Sequence, residues 1–228
     1  QKTLSENAVA LYLNTPNNPS GKVLSSLQLK AVADFVKKNN LWLISDEAYE
    51  SFTYDQFVHY SIAAEHDIFE QTITVFSFAK MFMVAGYRLG YTVASPMVLE
   101  VMNKILVHQI YSASSLIQYI MIDVVKNRHQ WLPRLKARYQ ELRDIACNNL
   151  KVPLHIPESG YYLFFSLHPY MKDKSFMQIF EEILNTGVAL TPGKSFGDDF
   201  PNHARLCFTA VEEEKLRQGI DLLNSVLN

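Results

Sequence analysis

Short apolar runs, separated by stretches with helical spacing, characterise the first half of the chain. Four such runs each predict a strand of a buried sheet: residues 9–13, 41–44, 73–76 and 90–94. Between the first two runs, apolar residues have the spacing of a helix: Leu29, Val32, Ala33 and Val36. The serine pair before them, Ser25 and Ser26, can cap this helix. Strands that alternate with helices predict an α/β fold with right-handed crossovers.

The second half of the chain has a different pattern of apolar and charged residues. Residues 96–150 carry a helical pattern with a charged face, and after Pro153 two apolar runs, 161–165 and 205–208, predict further strands. Residues 176–184 and 212–227 have amphipathic helical spacing. We therefore predict a large α/β domain over residues 1–145 and a smaller α+β domain over residues 146–228.

Composition and charge exclude several classes of partner. The 228 residues are 48% hydrophobic with a net charge of −2, so we expect neither nucleic acid nor a membrane as a partner. Cys147 and Cys207 form no CxxC pair, which favours reduced thiols and a cytoplasmic protein. The seven histidines show no paired ligand spacing, so no metal site is predicted.

Lys80 is the first candidate for chemistry, because it follows an apolar strand by only a few residues. An ammonium group near a protein interior loses hydration unless a partner or neutralisation compensates. Ser77 and Arg88 add a hydroxyl and a forked cation that together suit a phosphate group. Gly86 and Gly90 permit close backbone approach around whatever Arg88 binds.

Two further polar segments follow the two preceding strands. Residues 14–21 are rich in Asn and Pro, and residues 45–49 contain Asp46 and Tyr49. Each alone could be an ordinary turn or cap. In open α/β sheets, however, ligands bind in the crevice outside the carboxyl ends of the strands. The three segments together therefore predict a binding site at one edge of the sheet.

These segments resemble the class I/II aminotransferases among the fold type I pyridoxal-phosphate enzymes. The matching motifs run in order along nearly the whole chain: NTPNNPSG at 14–21, SDEAY at 45–49, SFAK at 77–80 before GYRLGY at 86–91, SGYYLFF at 159–165, TPGKSFG at 191–197 and ARLCF at 204–208. The resemblance implies a large-domain remnant, a mostly parallel sheet with helices on both faces, followed by an α+β small C-terminal domain.

The resemblance implies roles for four residues around the cofactor, pyridoxal 5'-phosphate. Lys80 would form the Schiff base and move the proton at the substrate Cα. Asp46 would pair with the pyridine nitrogen and keep it protonated, so that the ring can accept electrons. Tyr49 and Asn18 would donate hydrogen bonds to the phenolic oxygen of the cofactor.

The resemblance also implies which residues hold the phosphate and the substrate. Ser77 and Arg88 would bind the phosphate, although Ala79 stands where the family usually has a second Ser. Arg205 would hold the substrate α-carboxylate with its forked guanidinium, beside Asn18, and Tyr161 would border the substrate entrance. Substrates would be an L-amino acid and a 2-oxo acid, and the full-length enzyme would be a homodimer.

Two alternatives to an active aminotransferase stay open at this point. The first is another reaction on the same site, such as that of a C–S lyase or a racemase, which could use Asp46, Tyr49 and Lys80 equally well. An inert fragment is the other, because family members carry a long N-terminal portion ahead of residues 14–21 that supplies a phosphate loop and a ring stacked on the cofactor. The sequence does not identify the amino acid that donates the amino group.

Overall fold

Strands and helices alternate along the first half of the chain in the computed structural model, which describes residues 4–64 and 67–227. The strands are β1 (Ala10–Asn14), β2 (Trp42–Asp46), β3 (Thr72–Ser77), β4 (Gly90–Val93), β5 (Tyr162–Ser166), β6 (Thr191–Pro192) and β7 (His203–Cys207). The helices are α1 (Ser26–Lys38), α2 (Phe78–Met81), α3 (Pro96–Gln109), α4 (Ser115–Lys126), α5 (Arg128–Asn149), α6 (Phe176–Asn185) and α7 (Glu213–Val226).

The chain divides into two compact units by contact between its residues. Unit 1 contains the residues up to Pro16 together with Val23–Pro133, and unit 2 contains Asn17–Lys22 together with the residues from Arg134 onward. The division therefore falls within α5, and a six-residue segment of unit 2 interrupts unit 1. The predicted domain boundary at residue 145 stays a prediction.

Unit 1 is built on a four-stranded sheet with the order β1-β2-β3-β4. The first three strands are parallel to their neighbours, and β4 is antiparallel to β3, with Ser77 opposite Gly90. The reversal has a simple cause. The connection between β3 and β4, residues 78–89, contains only a four-residue helix and one short 3₁₀ turn, whereas a parallel return usually runs through a full crossover helix.

Helix α1 covers one face of this sheet. It begins at a capping box in which the Ser25 hydroxyl accepts from the backbone N–H of Gln28 and the Gln28 side chain accepts from the backbone N–H of Ser25. Its buried residues join strand and loop residues in one apolar cluster: Leu29, Ala33, Val36, Leu41, Leu43, Ile62 and Ile68. The predicted cap and apolar spacing of this helix are confirmed.

The other face of the sheet is partly exposed. The register places Tyr12 beside Ile44 and Asn14 beside Asp46, so Tyr12 and Asp46 share this second face. Tyr12 is 61% exposed and Trp42 is 39% exposed. The cluster around α1 therefore lies on the opposite face from Asp46.

Helices α3, α4 and the first part of α5 occupy the predicted helical stretch of unit 1. Helix α3 has no buried residue, and many large apolar side chains of α3 and α4 are exposed: Met97, Leu99, Val101, Ile105, Leu106, Val107, Leu116, Tyr119, Ile120 and Ile122. Within residues 4–64 and 67–227, no helix combines the length and apolar character needed to cross a membrane.

Unit 2 contains a three-stranded antiparallel sheet with the order β5-β7-β6. Its register places Phe164 opposite Arg205 and Tyr162 opposite Cys207. Helices α6 and α7 contribute apolar side chains to its core, among them Ile179, Ile183 and Leu223. The predicted strands and amphipathic helices of this region are confirmed, with bounds that differ by one or two residues.

Candidate active site

Asp46 ends β2 and accepts hydrogen bonds on both carboxylate oxygens. The Tyr12 phenol donates to Oδ2 at 2.7 Å, and the backbone N–H of Ala48 donates to Oδ1 at 3.1 Å. The side chain of Asn14 donates to the Asp46 carbonyl oxygen at 3.1 Å. The carboxylate is thus fixed at the carboxyl end of a central strand, where the sequence predicted it.

Tyr12 is a contact of Asp46 that the sequence analysis missed. Although the residue is 61% exposed, partial desolvation together with the hydrogen bond and the negative charge of Asp46 raises the pKa of its phenol to about 12. The phenol therefore keeps its proton to a higher pH than an ordinary tyrosine and donates a hydrogen bond to the carboxylate. Because side chains alternate along a strand, Tyr12 lies on the same face as Asn14. This alternation predicts a contact between Tyr12 and Asp46 only if the register between β1 and β2 is known.

Tyr49 and Lys80 come together at the same edge of the sheet. Lys80 lies in the short helix α2 directly after β3, and its Nζ lies 5.6 Å from the centroid of the Tyr49 ring. Tyr49 is 4% exposed and follows Asp46 by one short turn. The structure therefore brings together two of the three residues predicted to carry the chemistry, on the turn and helix that follow neighbouring strands.

Ser77 and Arg88 lie at the junction of β3 and β4. Ser77 pairs with Gly90, and its hydroxyl does not cap α2. Arg88 has a left-handed backbone (φ 53°), and its guanidinium donates to the Ala85 carbonyl oxygen at 3.0 Å. A side chain at position 90 would lie 2.6 Å from the Phe76 carbonyl oxygen, so the close strand pairing here needs glycine.

A cavity of about 520 Å³ opens beside Ser77 in unit 1. Its walls include Phe76, Phe78 and Tyr91, together with the carboxyl group of Glu50, whose pKa is raised mainly by burial. Asp46 and Lys80 do not line it. The cavity therefore shares Ser77 with the predicted cofactor site but does not reach Asp46 or Lys80.

Unit 2 encloses the guanidinium of Arg205. One terminal nitrogen donates to Asn18 Oδ1 at 2.8 Å, and the other donates to Thr191 Oγ1 at 3.3 Å. The rings of Tyr162 and Phe196 lie over the guanidinium, with centroids 4.0 Å and 4.8 Å from its carbon. Within the described part of the chain, the buried Nε has no hydrogen-bond partner. The group is fixed in place and keeps donor capacity for an anion.

The segment 17–22 places Asn18 on Arg205. The Gly21 carbonyl oxygen accepts from the backbone N–H of Glu158 at 3.0 Å and from the Ser159 hydroxyl at 3.1 Å. Lys22 forms an ion pair with the Glu158 side chain. Gly21 has φ +69°, and a Cβ there would meet Pro157 at 2.4 Å, so only glycine allows the segment to lie this close.

Tyr161, the residue predicted at the substrate entrance, is buried. Its ring packs against Tyr139 and Tyr162 at centroid distances of 5.3 Å and 6.1 Å. Side chains alternate along a strand, and Tyr162 shares its face with Phe164 and hence with Arg205. Tyr162, Phe196 and Thr191 therefore surround the Arg205 guanidinium, and the sequence analysis predicted none of these three contacts. The role of Tyr161 stays a prediction.

The side chains of unit 1 fit pyridoxal phosphate by their chemistry. Lys80 offers an amine for an aldehyde, and the doubly hydrogen-bonded Asp46 offers a carboxylate for a pyridine nitrogen. Ser77 and Arg88 offer a hydroxyl and a cation for a phosphate at the β3–β4 junction. Among the described residues, no cluster of three His, Cys, Asp or Glu side chains is placed to hold a metal ion.

Comparisons with known proteins agree with this chemistry. The family model described as aminotransferase class I and II matches residues 1–223. An aspartate aminotransferase of Pyrococcus abyssi and the aromatic-amino-acid aminotransferase 2 of Thermococcus litoralis are each 32% identical to this chain, over all of it. The chain spans 59% of the length of both relatives.

Solved structures resemble the fold closely. The aromatic aminotransferase from Pyrococcus horikoshii OT3 superposes with a TM-score of 0.93 at 31% identity, over 99% of this chain and 61% of that chain. The aspartate aminotransferase from Thermus thermophilus with maleate gives a TM-score of 0.91 at 27% identity, over 99% and 59% of the two chains. This likeness confirms the predicted α/β fold class with its small C-terminal part.

Proposed function

The chain belongs to the class I and II aminotransferase family, and from this we propose that the protein containing it moves an amino group between an L-amino acid and a 2-oxo acid. Enzymes of the family depend on pyridoxal phosphate. The observation that carries the proposal is the group of Asp46, Tyr49 and Lys80 at the carboxyl edge of the unit 1 sheet. That edge is where open α/β sheets bind ligands.

The division of chemistry between the cofactor and this chain is clear in outline. When bound, the cofactor supplies a ring that accepts the electrons left when the substrate Cα loses its proton. Asp46 would hold a proton on the ring nitrogen, since its carboxylate is fixed by Tyr12 and Ala48. Lys80 would bind the cofactor and then carry the proton at Cα, a task for an amine within reach of that carbon.

Arg205 would bind and orient the substrate through its α-carboxylate. Its guanidinium is already fixed by Asn18, Thr191 and the two aromatic rings, so little side-chain freedom is lost on binding. The buried, unpartnered Nε provides a donor that a carboxylate oxygen would satisfy. A fixed carboxylate orients the Cα–H bond for proton removal.

The proposal extends to assembly and location. The enzyme would be a homodimer, and the exposed apolar side chains of α3 and α4 support a surface covered by a second copy. A cytoplasmic location is supported by the two cysteines, which are both free. Sedimentation of the complete protein measures the first of these directly.

The decisive test uses the complete protein with added pyridoxal phosphate. A visible absorption band should appear that Lys80→Ala abolishes, because the amine that binds the cofactor is removed. Lys104→Ala is the matched control, since Lys104 is exposed and pairs only with Glu100 among the described residues. Failure of the parent protein to give a band would contradict the proposal.

Product analysis separates transamination from lyase chemistry on the same residues. An aminotransferase needs a 2-oxo acid acceptor and converts it to an amino acid. Release of ammonia and pyruvate from a cysteine conjugate, without any 2-oxo acid, would favour the C–S lyase instead. A steady-state screen of amino donors would then identify the substrate.

A further inference from the structure

Directly behind Asp46 lies a buried carboxylate that the proposed chemistry does not use. The Glu47 side chain is 0% exposed and is surrounded by three donors. The hydroxyls of Ser45 and Ser61 donate to Oε1 at 2.9 Å and 3.0 Å, and His59 Nε2 lies 2.8 Å from Oε2. Since a carboxylate only accepts hydrogen bonds, Nε2 carries the hydrogen in this contact.

Glu47 is linked to both residues that would face the cofactor. Side chains alternate at the end of β2, so Ser45 and Glu47 enter the buried face while Asp46 points to the other. The backbone N–H of Glu47 donates to the Val75 carbonyl oxygen on β3 at 3.0 Å, and its own carbonyl oxygen accepts from Glu50 at 3.1 Å. The second bond closes the turn that carries Tyr49.

Simple attachment of the loop after this turn does not require the buried charge. Phe52 and Tyr54 are each 0% exposed, so apolar packing already holds residues 52–54 against unit 1. Burying a carboxylate costs free energy unless hydrogen bonds satisfy its oxygens. Here the donors come from Ser45 in β2 and from His59 and Ser61 in the loop that follows. The polar network therefore fixes a geometry that apolar packing alone leaves free.

We propose that Glu47, held by His59, Ser45 and Ser61, is a positioning residue that sets the orientation of Asp46 and Tyr49 toward the cofactor. The inference rests on the proposed function, because Asp46 and Tyr49 are taken as the residues that face pyridoxal phosphate. Glu47 acts through the backbone of its neighbours and touches neither substrate nor cofactor. Outer partners of this kind commonly fix the groups that bind a ligand directly.

The test compares variants of the network in the complete enzyme. Glu47→Gln and His59→Leu should weaken pyridoxal phosphate binding by about tenfold and shift the absorption maximum of the bound cofactor. His59→Gln, which keeps an N–H donor, should recover most of both properties. Cofactor binding is measured by equilibrium titration, and the absorption maximum by visible spectroscopy.

Thr72→Val is the matched control for lost stability. Thr72 is 1% exposed in the same sheet, where it pairs with Leu43, and its hydroxyl donates to the Ile68 carbonyl oxygen at 2.6 Å and not to the Glu47 carboxylate. It should lower the unfolding temperature without a change in the absorption maximum. An equal spectral change in Thr72→Val, or none in Glu47→Gln, would overturn the inference.

A measurement without cofactor separates this inference from the proposed function. The backbone N–H of Ala48 donates to Asp46 Oδ1, so its hydrogen exchange reports whether Asp46 is held in place. Exchange at Ala48 should accelerate in Glu47→Gln and stay at the parent rate in Thr72→Val. If the parent protein bound no cofactor, faster exchange in Glu47→Gln alone would still support the positioning role, and equal exchange in both variants would refute it.

Discussion

Arg205 and Arg88 are both predicted to bind an anion, and their surroundings differ sharply. Arg205 donates to Asn18 and Thr191 and is covered by the rings of Tyr162 and Phe196. Arg88 is exposed, and among the described residues its guanidinium has one hydrogen bond, to the carbonyl oxygen of Ala85 in its own turn. One guanidinium is held by several side chains, and the other is held by a single backbone carbonyl oxygen of its own turn.

The difference teaches how the two binding tasks are divided. A guanidinium that is already fixed loses little freedom on binding and imposes a definite direction on a carboxylate. An exposed guanidinium attracts an anion but fixes its orientation less firmly, and water screens the attraction between the two charges. Of the two predicted anion sites, we therefore expect the one in unit 2 to be the more specific.

The substitution Arg205→Lys should have the largest effect on the contrast between the two arginines. Lysine cannot form the forked pair of hydrogen bonds to a carboxylate. The kcat/KM for an amino-acid substrate should therefore fall about thirtyfold, which corresponds to a loss of about 2 kcal/mol of transition-state stabilisation. The free energy of unfolding should also fall by about 1 kcal/mol, because contacts with Asn18 and the rings are lost. Steady-state kinetics and urea unfolding measure the two effects. Arg217→Lys, on the exposed side of α7, is the control.

Arg88→Lys tests the other member of the pair. Pyridoxal phosphate affinity should fall by about 1 kcal/mol, or about fivefold, since one charge is kept while the planar fork is lost. The free energy of unfolding should stay at the parent value, because Arg88 contacts little of the fold. A loss of stability as large as that of Arg205→Lys would contradict the contrast drawn between the two sites.

Tyr12→Phe has the smallest expected effect and sharpens the description of the unit 1 site. Folding raises the pKa of the Tyr12 phenol from its ordinary value of 10.0 to about 12, so the folded protein favours the protonated form. This contribution is complete below pH 10 and is lost as pH rises from there through about 12. Urea unfolding across that range should show a shallower decline in stability for Tyr12→Phe than for the parent. Identical slopes would mean that Tyr12 does not hold Asp46.

Much of the site could be predicted because its residues follow directly after strands. Asp46 and Lys80 are recognisable from the apolar runs before them, and parallel strands bring their carboxyl ends to one edge. The cap of α1 was predictable for a similar reason, since a capping box involves residues only three apart.

Contacts that depend on strand register were not predictable from one sequence. Tyr12 meets Asp46, and Tyr162 meets Arg205, because of the offset between paired strands, and a slip of one residue would reverse both faces. The reversal at β4 was missed for a different reason: its connection lacks a full crossover helix, although the apolar run looks like that of its parallel neighbours. Glu47 and His59 are joined through an irregular loop, which no periodic pattern describes.

The position of segment 17–22 along the chain determines when its contacts with unit 2 can form during synthesis. It belongs to unit 2 by its contacts, yet the remainder of that unit begins only at Arg134. During synthesis Asn18 therefore leaves the ribosome long before Arg205, its hydrogen-bond partner, exists. The pair of Asn18 and Arg205 can therefore form only after Arg205 has been synthesised, when the residues of the sheet that carries Asp46 and Lys80 have already emerged.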